Sequence, residues 1–442
     1  MPGHKGSRLY REFGYDSFLD GFLDWDITEI PGADDLFEAS GIIDGVQKRY
    51  AALFDVERSY LMVNGTSGAL IASILSCVPE GGKMIIGTNS HRAVLNGLSL
   101  AGAQPVFVAP EKLWDGDVEG ATLPAADGCS GAEGDGEEPL GEEAGGEDSG
   151  AEPTGSMDRP FRSVKEAIDA NPDAAAVLVT SPNYYGIVSD IEKIAQLTHD
   201  AGMILIVDQA HGAHLAFFEK YAGGSTGDVV TGDGAHVDGA PGDNTHSRLV
   251  PAEKLGADIV TCSVHKTLAS MTQSAVLHIC SSAPEGRIDT EVIEEKLKMI
   301  ESSSPSYILM TSLEINADLI EKHGSELFRR WDRGLDLFYE RAAGIPGLET
   351  LYGDIDDHID RSKIVIRMRR SADGPDEPVG TDGPKGPDED WIAAEDLEAL
   401  LMEKGIFCEK KNGRALVCLS GIGNTTEDYT ALADALEDIA IH

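Results

Sequence analysis

Short apolar, β-branched runs alternate with amphipathic stretches along most of this chain. Apolar runs predict strands at 60–63, 83–87 and 104–108, and 3.6-residue periodicity predicts helices at 67–78 and 93–101 between them. The rhythm resumes with a helix at 164–170, a strand at 175–180, a helix at 191–201 and strands at 203–208, 257–262 and 274–280. From about residue 326 a long amphipathic helix leads into strands at 363–368 and 415–419 and helices at 394–404 and 426–439. This alternation predicts an α/β fold over residues 1–325, a mostly parallel sheet sandwiched by helices. A smaller α+β C-terminal domain is expected over 326–442.

Three stretches break the pattern. Residues 125–156 are almost all Gly, Ala, Glu and Asp, with no aromatic and no basic side chain. They cannot bury enough apolar surface to offset ordering entropy, which predicts a disordered acidic insertion. Residues 222–247 and 371–389, rich in Gly, Asp and Pro, are expected to be loop insertions.

Charge narrows the possible partners. The 35 basic residues face 77 acidic ones, a net charge of −42. Such a surface repels phosphate backbones and anionic lipid, so no nucleic-acid or membrane partner is expected. A negative field can gather a cationic substrate, although an acidic, soluble surface is the plainer cause. No apolar run is long enough to span a bilayer, and Met1-Pro2-Gly3-His4-Lys5-Gly6 carries no hydrophobic signal region. A cytoplasmic protein is the expectation. The six cysteines lack any metal-ligand spacing, which predicts reduced thiols and no metal.

Reactive side chains cluster where strands end. Asp208 closes the apolar run 204–207, and a carboxylate at that depth needs a partner, such as a protonated pyridine nitrogen or an arginine. Lys266, in Ser263-Val264-His265-Lys266, is a candidate Schiff-base amine, because partial desolvation makes a lysine nucleophilic at neutral pH. Asn64-Gly65-Thr66-Ser67 follows a strand and opens a helix, which suits a phosphate and equally suits an ordinary helix cap. Ser263 could hold the same phosphate, and His265 could shuttle protons. His91, in Asn89-Ser90-His91-Arg92, has a flat ring able to stack on a pyridine face.

The order of these motifs resembles the bacterial ornithine/lysine/arginine decarboxylases, pyridoxal 5'-phosphate enzymes of the aspartate-aminotransferase fold (fold type I). The matching stretches are Pro2 to Gly6, Asp26 to Asp35, Asn64 to Ser67, Asn89 to Arg92, Asp208-Gln209-Ala210-His211, Ser263 to Lys266, Ser302 to Tyr307, and Glu409 to Gly413. The resemblance implies that Lys266 bonds the cofactor, Asp208 pairs with its ring nitrogen and His91 stacks on the ring. Thr66, Ser67 and Ser263 would bind the phosphate, with Ala210 and Asn183 also against the cofactor. Glu409 and His211 would meet a small cationic amino acid. Ser302, Ser304 and Ser306 would reach a neighbouring subunit's site, which implies a homodimer or higher homo-oligomer.

The implied activity is decarboxylation of a basic amino acid, arginine before lysine before ornithine, in polyamine biosynthesis. Another fold type I reaction, such as transamination, or a non-catalytic subunit are the rivals. Three departures bear on this. The chain opens directly at Met1-Pro2, where relatives carry a leading segment, which puts one subunit contact and activity in question. A form without the receiver-like wing domain is expected, and Asn183 stands where many relatives have Thr.

Overall fold

The aliphatic runs of the first three hundred residues assemble into one seven-stranded sheet. The computed structural model describes residues 1–124, 154–157, 159–221, 249–354, 358–370 and 390–441. Its strands are β1 (Arg58–Met62), β2 (Lys83–Gly87), β3 (Gln104–Val108), β4 (Ala174–Thr180), β5 (Ile204–Asp208), β6 (Ile259–Cys262) and β7 (Ala275–Ile279). They lie in the order β1-β7-β6-β5-β4-β2-β3. β7 runs antiparallel to both of its neighbours, β1 and β6, and the remaining pairs are parallel. A parallel return would need a crossover, usually a helix, and the link from Ser263 to Ser274 carries only the single turn Val264–Thr267.

Alternation along the strands feeds two cores. Leu205, Val207, Val177, Val179 and Val260 face one side; Ile206, Ala176, Leu178, Met84 and Ile86 face the other. The first side is covered by α1 (Ile42–Phe54), α4 (Val164–Ala170), α5 (Ile191–Asp200) and α7 (Tyr307–Ala342). The second is covered by α2 (Gly65–Cys77), α3 (Arg92–Ala101) and α6 (Thr290–Ile300). Helices on both faces of a mostly parallel sheet give the α/β class expected.

A second sheet follows: β8 (Leu348–Thr350), β9 (Lys363–Met368), β10 (Lys410–Asn412) and β11 (Ala415–Leu419), ordered β8-β9-β11-β10. Ile364, Ile366 and Leu416 meet α7, α8 (Ala394–Glu403) and α9 (Thr426–Ile441) in the same apolar cluster that covers the large sheet. Val365, Ala415 and Val417 pack on Tyr185 and Ile187 of the large sheet's loops.

Two expectations are corrected. The helix predicted from about residue 326 begins at Tyr307 and runs unbroken to Ala342, so the expected division at 325/326 falls inside it. Its first half is buried on several sides, with Ile308, Met310, Leu313, Ile315 and Ala317 all in the core, and so shows no clean amphipathic stripe. The acidic insertion expected over 125–156 is ordered at its end, where Gly155 O accepts from the Phe107 N–H at 2.7 Å beside β3. The rest of it, and the loop insertions 222–247 and 371–389, lie outside the described residues. α1, α6, β8 and β10 lack counterparts in the sequence prediction.

Candidate active site

β5 and β6 are parallel neighbours, with Asp208 opposite Thr261, so the turn after β6 delivers Lys266 next to the end of β5. The loops after β1 and β2 bring Thr66 and His91 to the same edge. Ligands bind open α/β sheets beyond these carboxyl ends.

Asp208 is 3% exposed, and burial raises its pKa, against the opposing charges of Lys266 and His91. Its Oδ1 accepts from the Ala210 N–H at 3.1 Å. Lys266 Nζ lies 2.8 Å from His211 Nε2. Burial lowers the Lys266 pKa, while the negative charges of Asp208 and Glu409 act to keep its proton. Burial and the Lys266 charge hold His211 well below its ordinary pKa. Neutral His211 therefore accepts from Lys266 through Nε2 and carries its hydrogen on Nδ1, a buried atom without a hydrogen-bond partner among the described residues. His211, expected at the substrate, sits against the lysine itself.

Thr66 and Ser263 are buried, and their hydroxyls touch each other beside the start of α2. Ser67 is exposed one residue on. Gly65 takes a φ of +69°, a turn that favours glycine and opens α2 beside the hydroxyl pair. Sequence reasoning missed Glu301 beneath this loop. Its Oε1 accepts from the Asn64 N–H at 3.2 Å, its Oε2 has no described partner, and burial pushes its pKa up to about 7.

His91 is exposed at the N-cap of α3, where Nδ1 accepts from the Ala93 N–H at 3.2 Å and fixes the ring. His265 Nδ1 is 2.9 Å from Ser274 O, and the His265 carbonyl accepts from the Gly3 N–H at 2.8 Å. Gly3 is required there, because a Cβ would fall 2.3 Å from Leu268 O. The N-terminal motif is thus wedged under the Lys266 turn. Glu409 is half-buried, with Oε2 3.6 Å from the Met1 nitrogen.

Asn183, expected against the cofactor, is held in its own loop. Its amide donates to Glu119 O (2.7 Å) and Gly120 O (3.0 Å), and its Oδ1 accepts from the Tyr185 and Ile187 N–H groups. Both donors are used in shaping the loop. Tyr184 from that loop was not foreseen: its ring lies 4.3 Å from His211, with Lys266 Nζ and Lys410 Nζ 5.9 and 4.8 Å from its centroid. Neither was Lys363, fully buried, whose Nζ bonds Asp360 Oδ2 (2.7 Å) and His211 O (2.8 Å). Asp360, also 3.0 Å from His214 Nε2, is held far below the carboxylate range by these partners despite its burial. The network fixes the backbone that carries His211. Ser306 caps α7, accepting from the Leu309 N–H at 3.4 Å, while Ser302 and Ser304 are exposed.

Beneath Ser263, Glu253, Cys262 and His278 bring ligand-type atoms within 4.8 Å of one another, an arrangement invisible in the cysteine spacing. Gln209 Nε2 donates to both Glu253 oxygens at 2.8 Å, so hydrogen bonding already serves the carboxyl group. Among the described residues no helix is long and apolar enough to cross a membrane.

The donor set fits pyridoxal phosphate. A buried carboxyl suits a cationic ring nitrogen, a desolvated amine stands near it, and a hydroxyl pair meets a helix N-terminus. The model of the Orn/Lys/Arg decarboxylase major domain matches residues 1–119 and 155–331. The chain belongs to the Orn/Lys/Arg decarboxylase family.

Relatives of this decarboxylase-family chain include the uncharacterized protein YaaO of Bacillus subtilis (strain 168), 32% identical over 71% of this chain and 52% of YaaO. An arginine decarboxylase of Bacillus cereus is 26% identical over 100% of this chain and 78% of that protein. The fold matches the Escherichia coli constitutive lysine decarboxylase with a TM-score of 0.65 at 19% identity, over 99% of this chain and 57% of the other. The chain thus spans little more than half the length of YaaO and of that lysine decarboxylase.

Proposed function

We propose that this protein removes the α-carboxylate of a basic amino acid, with pyridoxal 5'-phosphate as cofactor and arginine preferred over lysine and ornithine. The observation that carries the reading is the convergence of Lys266, Asp208 and His211 at one edge of the large sheet, with Glu409 of the small sheet close enough for its charge to act on Lys266. Four relatives named arginine decarboxylase align with 100% of this chain, against 72% to 90% for three named lysine decarboxylase, which supports arginine.

Lys266, with its proton affinity lowered by burial, is the amine that would hold the cofactor. Thr66, Ser263 and the start of α2 would bind the phosphate, Asp208 would keep the ring nitrogen protonated, and His91 would lie on the ring face. Bound there, the cofactor supplies an electron sink for the bond broken at Cα. Glu409 offers a carboxylate to the cationic end of the substrate. Lys266 Nζ, bonded to His211, is the group we assign to return a proton to Cα. His265, whose Nδ1 is engaged with Ser274 O, supports the turn.

The same reading makes the protein a cytoplasmic homo-oligomer in polyamine synthesis, with exposed Ser302 and Ser304 beside the phosphate loop offered to a neighbouring subunit. An assay of agmatine, cadaverine and putrescine from the three amino acids tests it. Agmatine is expected to form fastest. Bound cofactor with none of the three amines would overturn the reading.

A further inference from the structure

We propose that Cys408 and Cys418 are an oxidisable pair whose disulfide locks the strand distortion that aims Glu409. The two sulfurs lie 3.4 Å apart. Strand register explains why. Lys410 is paired with Val417, yet the Glu409 N–H also donates to Val417 O at 2.8 Å. Two successive residues therefore oppose one, which is a β-bulge at Glu409-Lys410. The extra residue brings Cys408 opposite Cys418 and onto the same face; without it, alternation would put the two side chains on opposite faces. The bulge is thus the shared cause of the cysteine contact and of the direction in which Glu409 points.

The pair is asymmetric in the way a redox couple needs. Cys418 is 7% exposed on β11, whereas Cys408 is half-buried and within reach of a small oxidant. The contact with Cys418 lowers the Cys408 pKa, so Cys408 is the attacking sulfur. With hydrogen peroxide as oxidant, the Cys408 thiolate attacks one oxygen and breaks the O–O bond, becoming a sulfenic acid, and the expelled hydroxide takes up the proton the thiol released to leave as water. The Cys418 sulfur then displaces the sulfenic hydroxyl as a second water, giving the disulfide. Two electrons pass from the sulfurs to peroxide. A bonded pair needs the sulfurs to close to about 2.05 Å, a movement of roughly 1.4 Å. In a reducing compartment the bond would be transient.

Peptide mass mapping of the peroxide-treated, cofactor-loaded protein tests the pair. The expected result is a Cys408–Cys418 cross-linked peptide that dithiothreitol reverses and that Cys408→Ser and Cys418→Ser each abolish. In Cys418→Ser, a sulfenic acid on Cys408 should instead be trapped by dimedone. No cross-link, or preferential linkage through Cys77, overturns the pair. The consequence for Glu409 rests on the proposed function. Oxidation should shift the KM for arginine by about threefold or more with kcat little changed, and Cys408→Ser should not respond. A cross-link formed in active enzyme with KM unchanged overturns the hold on Glu409. Mass mapping does not depend on decarboxylation, so failure of the pair and failure of the decarboxylase reading are told apart.

Discussion

Lys266 Nζ and His211 Nε2 are hydrogen-bonded at 2.8 Å although both side chains belong to groups that usually carry or gain protons. The contact holds because burial makes His211 the neutral partner and leaves Lys266 with a weakened grip on its own proton. Lys266→Ala should lose the visible absorbance that develops on adding pyridoxal phosphate. His211→Ala should keep that absorbance but lower kcat by about 10²-fold, within the usual range for a group in proton transfer. Cofactor capture by the wild type should rise with pH, with a midpoint below the ordinary lysine range. Stopped-flow absorbance across pH checks all three, and a midpoint at the ordinary lysine value would contradict the desolvation argument.

Asp208→Asn isolates charge from shape. The amide keeps the packing at the end of β5 and can still accept from the Ala210 N–H, but it cannot hold a ring nitrogen in its protonated state. The lysine-dependent absorbance should persist while kcat falls by about 10²–10³, as when a single electrostatic partner is removed. Equal loss of cofactor binding and kcat would instead mean that the variant damages the site's structure.

Glu301 makes a prediction about stability and pH. Its folded-state pKa is raised from 4.5 to about 7, so folding disfavours the ionised form. The resulting cost is absent below the ordinary carboxyl pKa, grows as pH rises, and is complete above about 7. Glu301→Gln removes it, worth at most about 3 kcal/mol. Urea unfolding at pH 5 and pH 8 should therefore find the variant gaining a little stability relative to wild type at pH 5 and several times more at pH 8. A gain that is the same at both values would sink the assignment.

Lys363→Met should destabilise the protein by about 3–5 kcal/mol, because it leaves Asp360 buried with its lysine partner gone. Replacing Asp360 by Leu in the same chain should recover part of that loss. The single variant should also lower kcat, since Lys363 Nζ holds the His211 carbonyl at 2.8 Å. Denaturant melts of the single and double variants separate the two effects.

Much of this site was legible because its residues lie at strand ends, where apolar runs stop and reactive side chains begin. Asp208, Lys266, Thr66 and Ser263 all follow that rule. Residues that act through distant partners were not legible. Lys363 heads a strand and reads as a surface flank; its burial depends on Asp360 and on the His211 carbonyl, and the latter lies far away in sequence. Asn183 shows a related gap: sequence offers an amide near the site but not the Glu119 and Gly120 carbonyls to which it donates. Glu301 follows α6 in a run that reads as a polar linker, and only the approach of Asn64 makes it an interior carboxyl. In the fold, β7 was found as a strand, while its direction came from the short link that also carries Lys266.

α7 lays Leu319 and Ile320 into the cluster that covers the large sheet and Trp331, Leu335 and Phe338 into its continuation toward the small one. Neither sheet can shed its partner without exposing part of one shared apolar layer to water. The two layers are therefore thermodynamically coupled, and heat should melt them as a single cooperative unit, with no separately folded C-terminal half surviving the loss of the first.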